Sequence, residues 1–230
     1  MNQGPLVFLG VFLAMAVSWS ALILEPQRQL GNGQPATAVS TGDPYPQKRS
    51  GQANQGAEVY RSLGCVSCHS QQIAWPGYNS DIRRGWGNRR SVAPDYLYDQ
   101  TVLLGSQRVG PDLSNIGLRS PGAESLLLHL YNPQATLPKG TKSIMPPYRF
   151  LFQTQKIRSR PSPDALVLPS DFAPPPGYEV VPTGRAKALV AYLLSLRSDP
   201  ILFETPMPQA ATNSPSGSAS SSANTNAPAK

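Results

Sequence analysis

Cys65-Val66-Ser67-Cys68-His69 constrains this chain more than any other segment. It holds the only two cysteines among 230 residues and one of only two histidines. Cys-x-x-Cys-His is the attachment pattern of a c-type haem. Two intervening residues let one turn of chain carry both sulfurs to the two vinyl groups, and the histidine that follows lies under the ring as an iron ligand. A thioredoxin-like redox pair needs a βαβ pattern around it, which the sequence does not show. Structural zinc needs four ligands. Only Cys65, Cys68, His69 and the distant His129 are on offer, and adjacent Cys68 and His69 point poorly at one ion.

A haem-binding chain must still build a core, and this one has limited means. With 25 prolines, 19 glycines and only 14% charged residues, a small core and much irregular chain are expected. The formal net charge of +7 favours an anionic partner or surface. No Lys/Arg-rich helix or binding motif supports nucleic acid as that partner.

Pro5 to Leu24 carries no charged residue. At 1.5 Å per residue such a segment spans roughly 30 Å, the thickness of a bilayer core. A cleaved signal peptide would have a basic start and a shorter apolar run; Met1 to Gly4 hold no Lys or Arg. Residues 1–26 are therefore expected as an uncleaved single-pass anchor in a lipid bilayer. Flanking charge does not orient it. Covalent haem attachment in bacteria takes place outside the cytoplasm, so the haem domain is expected in the periplasm.

Residues 27–52 read as a Gly/Pro-rich linker and 201–230 as a disordered tail. Between them, 53–200 is expected as the cytochrome domain. Asn54 is a candidate cap for a helix ending at Gly64, and Thr183 for a last helix to about Arg197. In that last helix Ala186, Leu189, Val190, Leu193 and Leu196 recur at helical spacing, an apolar stripe for the core. Glu124 to Tyr131 reads as a further short helix. Residues 149–182, dense in proline, are expected as ordered irregular chain. The expected fold class is mostly α: one transmembrane helix followed by a c-type cytochrome domain with long Pro-rich loops.

The iron needs a sixth ligand. Met1 and Met15 belong to the anchor and Met207 to the tail, which leaves Met145 and His129. Met145 precedes Pro146-Pro147, a rigid loop able to aim a thioether. It is the favoured ligand, and His129 remains the competitor.

Further stretches follow in order: Gly64-Cys65-Val66-Ser67-Cys68-His69-Ser70-Gln71, Leu104-Gly105-Ser106-Gln107-Arg108-Val109-Gly110-Pro111-Asp112-Leu113, His129-Leu130-Tyr131-Asn132-Pro133, Met145-Pro146-Pro147-Tyr148 and Val190-Ala191-Tyr192-Leu193. Behind one anchor, this series resembles the membrane-anchored monohaem subunit, subunit II, of cbb3-type cytochrome c oxidases. The resemblance implies one covalent haem c, ligated by His69 and Met145. It implies that the Pro111 carbonyl orients His69, and that Arg108, His129 and Tyr148 lie near the haem propionates or edge. It implies a membrane complex with a haem–copper catalytic subunit and a further cytochrome c subunit. The expected work is electron transfer rather than bond-making catalysis. The monohaem subunit of a nitric oxide reductase and a free-standing anchored shuttle remain alternatives. The chain departs from the family pattern after Gln71, where Arg83-Arg84 and Arg89-Arg90 form either an interface or a solvated surface.

Overall fold

The computed structural model describes residues 3–31, 33–75, 77–138 and 140–205. Met1, Met207 and most of the expected tail lie outside the described residues. The chain is mostly helical. Helix α1 (Gly4–Trp19) passes through a π-helical turn (Ser20–Leu24) into α2 (Glu25–Leu30). The widened turn sits just before Pro26, whose ring and missing N–H interrupt the i→i−4 ladder. Gly4–Gln29 is long and apolar enough to cross a membrane, and none of its most apolar stretch is buried against the protein.

Helix α3 (Gly51–Ser62) packs across α6 (Gly184–Ser195). The cap of α3 is Ser50 rather than Asn54: its hydroxyl accepts from Ala53 N–H at 3.2 Å. Helix spacing alone did not distinguish two polar residues four apart, and the serine is the one with extended backbone. Thr183 caps α6 as expected, accepting from Ala186 N–H at 3.4 Å. The two helices bury Ala53, Val59 and Tyr60 against Ala188, Leu189, Tyr192 and Leu193. They meet at Gly56, where an added Cβ would lie 1.9 Å from the Ala188 carbonyl oxygen. The Tyr60 and Tyr192 rings, 5.5 Å apart, close the crossing.

Short helices α4 (Ile116–Arg119) and α5 (Ala123–Tyr131) complete the helical layer against α6. Leu126 and Leu130 of α5 join the same core as Leu103, Leu113, Leu151 and Val180.

Two antiparallel hairpins were not foreseen. Strands β1 (Ala36–Thr37) and β2 (Pro44–Tyr45) pair Ala36 with Tyr45, within the stretch read as linker. Ala38 and Tyr45 are buried, and the Tyr45 hydroxyl donates to the Arg197 carbonyl at 3.2 Å. Strands β3 (Phe152–Lys156) and β4 (Tyr178–Pro182) pair Phe152 with Pro182 through to Lys156 with Tyr178. Their prolines hid them. Pro182 stands at the strand end and the remaining prolines lie in the excursion between the strands, where no ladder bond is needed.

The crossing at Gly56 makes a prediction. Gly56→Val should lower the unfolding free energy by about 2–3 kcal/mol, the upper part of the usual overpacking range. Gly51→Ala, at a position open on all sides, should leave it nearly unchanged. Denaturant unfolding of the full chain in detergent measures both.

Candidate haem site

Helix α3 ends at Gly64, in the left-handed conformation with φ 71°. Glycine adopts it without the strain a Cβ brings, and the chain turns at once into one 3₁₀ turn, Cys65–Ser67. The Cys65 carbonyl accepts from both Cys68 N–H (3.2 Å) and His69 N–H (2.9 Å), folding the pentapeptide into a single compact turn. The two cysteines are not joined to each other; Cys65 is half-buried and Cys68 exposed.

The His69 ring is held from its Nδ1 side. That nitrogen lies 2.9 Å from the Pro111 carbonyl oxygen. A carbonyl only accepts, so Nδ1 carries the proton and Nε2 keeps its lone pair for a metal. Gly110 lies flat against the same ring: a Cβ there would sit 2.2 Å from Cε1. Behind the ring, Gly105 (φ 78°) passes so close that its Cβ would lie 2.5 Å from the His69 carbonyl oxygen. Gly110 N–H donates to the Cys68 carbonyl at 2.9 Å, and Leu113 N–H to the Ser70 carbonyl at 2.8 Å.

Asp112 fastens these two segments and was missed in the sequence. Fully buried, it accepts from the Ser70 hydroxyl (2.6 Å) and Gln72 N–H (2.8 Å) with one oxygen. Its other oxygen accepts from Ser114 N–H at 2.8 Å. The only advance signal was its place beside Pro111. Tyr60 and Tyr192 add support from the helices: the Tyr60 hydroxyl donates to the His69 carbonyl at 3.5 Å, and the Tyr192 hydroxyl to Gln71 Oε1 at 2.9 Å. Burial pushes the Tyr192 phenol up to about 12, which keeps it a donor at any working pH.

Arg108, read as a propionate partner, has all three guanidinium nitrogens engaged by protein. Nε donates to the Ser70 hydroxyl at 2.9 Å, Nη1 pairs with buried Asp81 at 2.7 Å, and Nη2 donates to the Gln72 carbonyl. In this arrangement it braces the segment after the motif.

The expected distal residues come from α5 and the loop after it. Tyr148 N–H donates to the Leu130 carbonyl at 2.8 Å, tying the loop to α5. Tyr148 packs on the same core as Cys65 and Val66, and burial raises its phenol. Met145 is half-buried, packed on the same core as Cys65, Val66 and Tyr148. Gln134 holds its loop, donating to the Thr141 carbonyl and accepting from Ser143 N–H.

His129 is half-buried, with Nδ1 2.6 Å from the Thr136 hydroxyl. That hydroxyl gives its own proton to the Pro133 carbonyl at 3.0 Å. Nδ1 is therefore the donor, and Nε2 of neutral His129 is an acceptor. Burial lowers the His129 pKa, with charge on His69 a second cause.

These residues suit a flat apolar group. Leu104, Val109, Ile144 and Phe150 are large and exposed, by 37%, 52%, 81% and 63%. Each borders the motif or the Met145 loop: the Leu104 carbonyl accepts from Gln71 N–H, Val109 precedes Gly110, Ile144 precedes Met145, and the Phe150 ring lies 5.7 Å from Tyr148. A haem over His69 would cover such a rim. Among the described residues no group of three or more His, Cys, Asp and Glu is placed to hold a separate metal ion.

An apolar helix, a mostly helical domain and a Cys-x-x-Cys-His turn with its histidine pre-oriented define a membrane-associated monohaem protein. The family model described as cytochrome c oxidase, mono-heme subunit/FixO matches residues 6–168, and the chain belongs to that family. It is thus a monohaem subunit of a membrane-bound cytochrome c oxidase complex of the cbb3 type. The match begins inside α1 and ends in the Pro-rich excursion. No curated protein matches the chain.

The buried histidine sets a pH dependence. The His129 pKa is lowered in the fold from its ordinary 6.5. Below that value the unfolded chain takes up the proton first. Stability contributed by neutral His129 is complete above pH 6.5 and declines as pH falls toward the depressed value. Denaturant unfolding of the haem-loaded protein from pH 7 to 5 should show this loss, and His129→Gln should flatten it.

Proposed function

We propose that this subunit relays electrons through one haem c, held by thioether bonds to Cys65 and Cys68 and ligated by His69 and Met145. The donor is a cytochrome, such as the further cytochrome c subunit of the complex. The acceptor is the haem–copper catalytic subunit. The observation that carries this reading is the 2.9 Å contact of His69 Nδ1 with the Pro111 carbonyl. It leaves an imidazole with one fixed orientation and one free lone pair, the state a metal-ligating histidine requires.

When bound, the haem supplies a reversible one-electron couple. The chain's own residues do the rest. The Pro111 carbonyl accepts a hydrogen bond from Nδ1–H, which would make the ring a stronger ligand at Nε2. Gly110 packs against the ring and Gly105 against the His69 backbone. Met145 and His69 would together hold the iron, and a thioether–imidazole pair would favour a higher potential than two imidazoles, suited to passing electrons toward an oxidant. Leu104, Val109, Ile144 and Phe150 exclude water from the edge of the site. Tyr148 and His129 offer polar contacts to the propionates.

The same reading places residues 1–26 in the membrane and the domain of 53–200 in the periplasm, where c-type haem is attached. Gly10, Ala14, Ala16, Ser18 and Ser20 present small side chains on the anchor. They permit close packing against the helices of the catalytic subunit, and a Cβ at Gly10 would meet nothing within 4 Å in the isolated chain.

The axial assignment is tested by spectroscopy. Met145→Ala should abolish the low-spin His/Met spectrum of the ferric and ferrous protein and slow electron delivery in the assembled oxidase. His129→Ala should keep the spectrum. The opposite pattern would make His129 the ligand.

A further inference from the structure

The end of the domain at which the anchor arrives carries an exposed aromatic and cationic face. Hairpin β1–β2 is fixed to that end: Val39 N–H donates to the Ile201 carbonyl at 2.8 Å, and Tyr45 reaches the Arg197 carbonyl. Only residues 31–35 separate the end of α2 at Leu30 from Ala36. Such a link reaches about 20 Å fully extended and about 13 Å on average if flexible. Helix α2 adds about 9 Å beyond Leu24 at 1.5 Å per residue. The headgroup layer itself is about 5–7 Å deep on each side. The anchor-proximal end of the domain therefore cannot move far from the bilayer surface.

What it shows to that surface is contiguous. Phe203 is 92% exposed, Tyr78 89%, Val39 62% and Trp75 54%. Arg90 stacks on the Trp75 ring at 4.3 Å and donates to the Glu204 carbonyl at 3.3 Å, joining the loop to the chain around Phe203. Tyr78 N–H donates to the Trp75 carbonyl at 3.2 Å, and Val39 joins through Ile201. Arg83 and Arg84 are exposed, with Arg84 lying 5.0 Å from the Trp86 ring. Of the acidic residues near this end, Asp81 and Asp95 are buried in pairs with Arg108 and Arg89, Asp199 is half-buried, and Asp43 and Glu204 are exposed. Arg89, read from the sequence as part of a surface run, thus belongs to the interior, and the outward cations are Arg83, Arg84 and part of Arg90.

Trp and Tyr with arginines beside them are the side chains enriched at the headgroup level of a membrane. Basic residues are attracted to an anionic membrane surface. A nearly fully exposed phenylalanine in that group is accounted for by burial at the acyl boundary. We propose that Val39, Trp75, Tyr78, Arg83, Arg84 and Phe203 seat the haem domain on the headgroup layer of an anionic phospholipid bilayer. The inference rests on the apolar helix within Gly4–Gln29 crossing that bilayer. A seated domain keeps one orientation to the membrane, which a short flexible link does not impose by itself.

The test uses the full, haem-loaded chain in vesicles of phosphatidylcholine with phosphatidylglycerol. The only native cysteines belong to the haem motif, so an introduced cysteine takes a nitroxide label selectively. Asn79→Cys places the label on the exposed turn between Tyr78 and Arg83 while leaving the patch intact. Val167→Cys, 74% exposed elsewhere on the domain, is the solvent reference. Leu13→Cys reports insertion of the anchor. The label at 79 should collide several-fold less with a water-soluble nickel chelate than the label at 167, and more with oxygen. Arg83→Glu with Arg84→Glu should restore nickel access to the reference level. Equal nickel access at 79 and 167 overturns the proposal. Shielding at 79 that arises only in the assembled oxidase overturns it too, and assigns the face to a protein partner. A water-accessible label at 13 removes the anchor reading and this inference with it.

Discussion

The hydrogen bond from His69 Nδ1 to the Pro111 carbonyl joins two segments 42 residues apart in the chain, and most of the site exists to keep it in place. It is one bond of 2.9 Å, and such a bond adds only about 1 kcal/mol to stability. Its importance is geometric. It sets the tautomer and the plane of the imidazole before any metal arrives. Proline suits the position because it offers a carbonyl and no competing N–H. The glycines at 105 and 110 suit it because each passes where a side chain would strike His69. Asp112 then locks the register, binding Ser70, Gln72 and Ser114 at once. A buried carboxylate with three donors is costly to leave unsatisfied, so the two segments hold together as a unit.

The helices supply the platform for that clip. Helix α3 ends where glycine lets it, and the motif turn follows without an intervening loop. The crossing with α6 at Gly56 brings Tyr60 and Tyr192 to the motif, so packing between the terminal helices reaches the His69 carbonyl and the Gln71 side chain through two buried phenols. Helix α5 and the loop through Tyr148 close the opposite side. At the far end, Arg89 and Asp95 form a buried bidentate pair, and Arg89 Nε donates to the Pro200 carbonyl at 2.6 Å. Burial works against the charge on that guanidinium, and Asp95 beside it more than offsets this, raising its pKa. This pair straps the chain after α6 onto the loop that follows the motif.

What could be read from the sequence was local. The motif, the apolar anchor, the Thr183 cap and the stripe along α6 each depend on residues within a few turns of one another. The resemblance to the monohaem oxidase subunit also rested on short ordered stretches, and the family match agrees with it. What escaped depended on distant partners. Beyond its place beside Pro111, Asp112 carried no sign of its role in the sequence, because its donors Ser70 and Gln72 lie 42 and 40 residues away. Arg108 invited a propionate role because Asp81, 27 residues away, gave no sign of approaching it. Arg89 and Arg90 read as one basic run, yet one is buried and the other stacks on Trp75. The β3–β4 pairing was hidden because the prolines that argued against strands lie mainly between them.

The account depends on one covalent haem at Cys65 and Cys68, presented to His69. Its most direct test is the intact mass of the chain after acid and organic-solvent denaturation, which strips haem that is held only by its iron ligands. The wild-type chain should remain heavier than the polypeptide by one haem. The variant with Cys65→Ala and Cys68→Ala should have the mass of polypeptide alone. A wild-type chain isolated from the native membrane complex at the bare polypeptide mass would contradict the account.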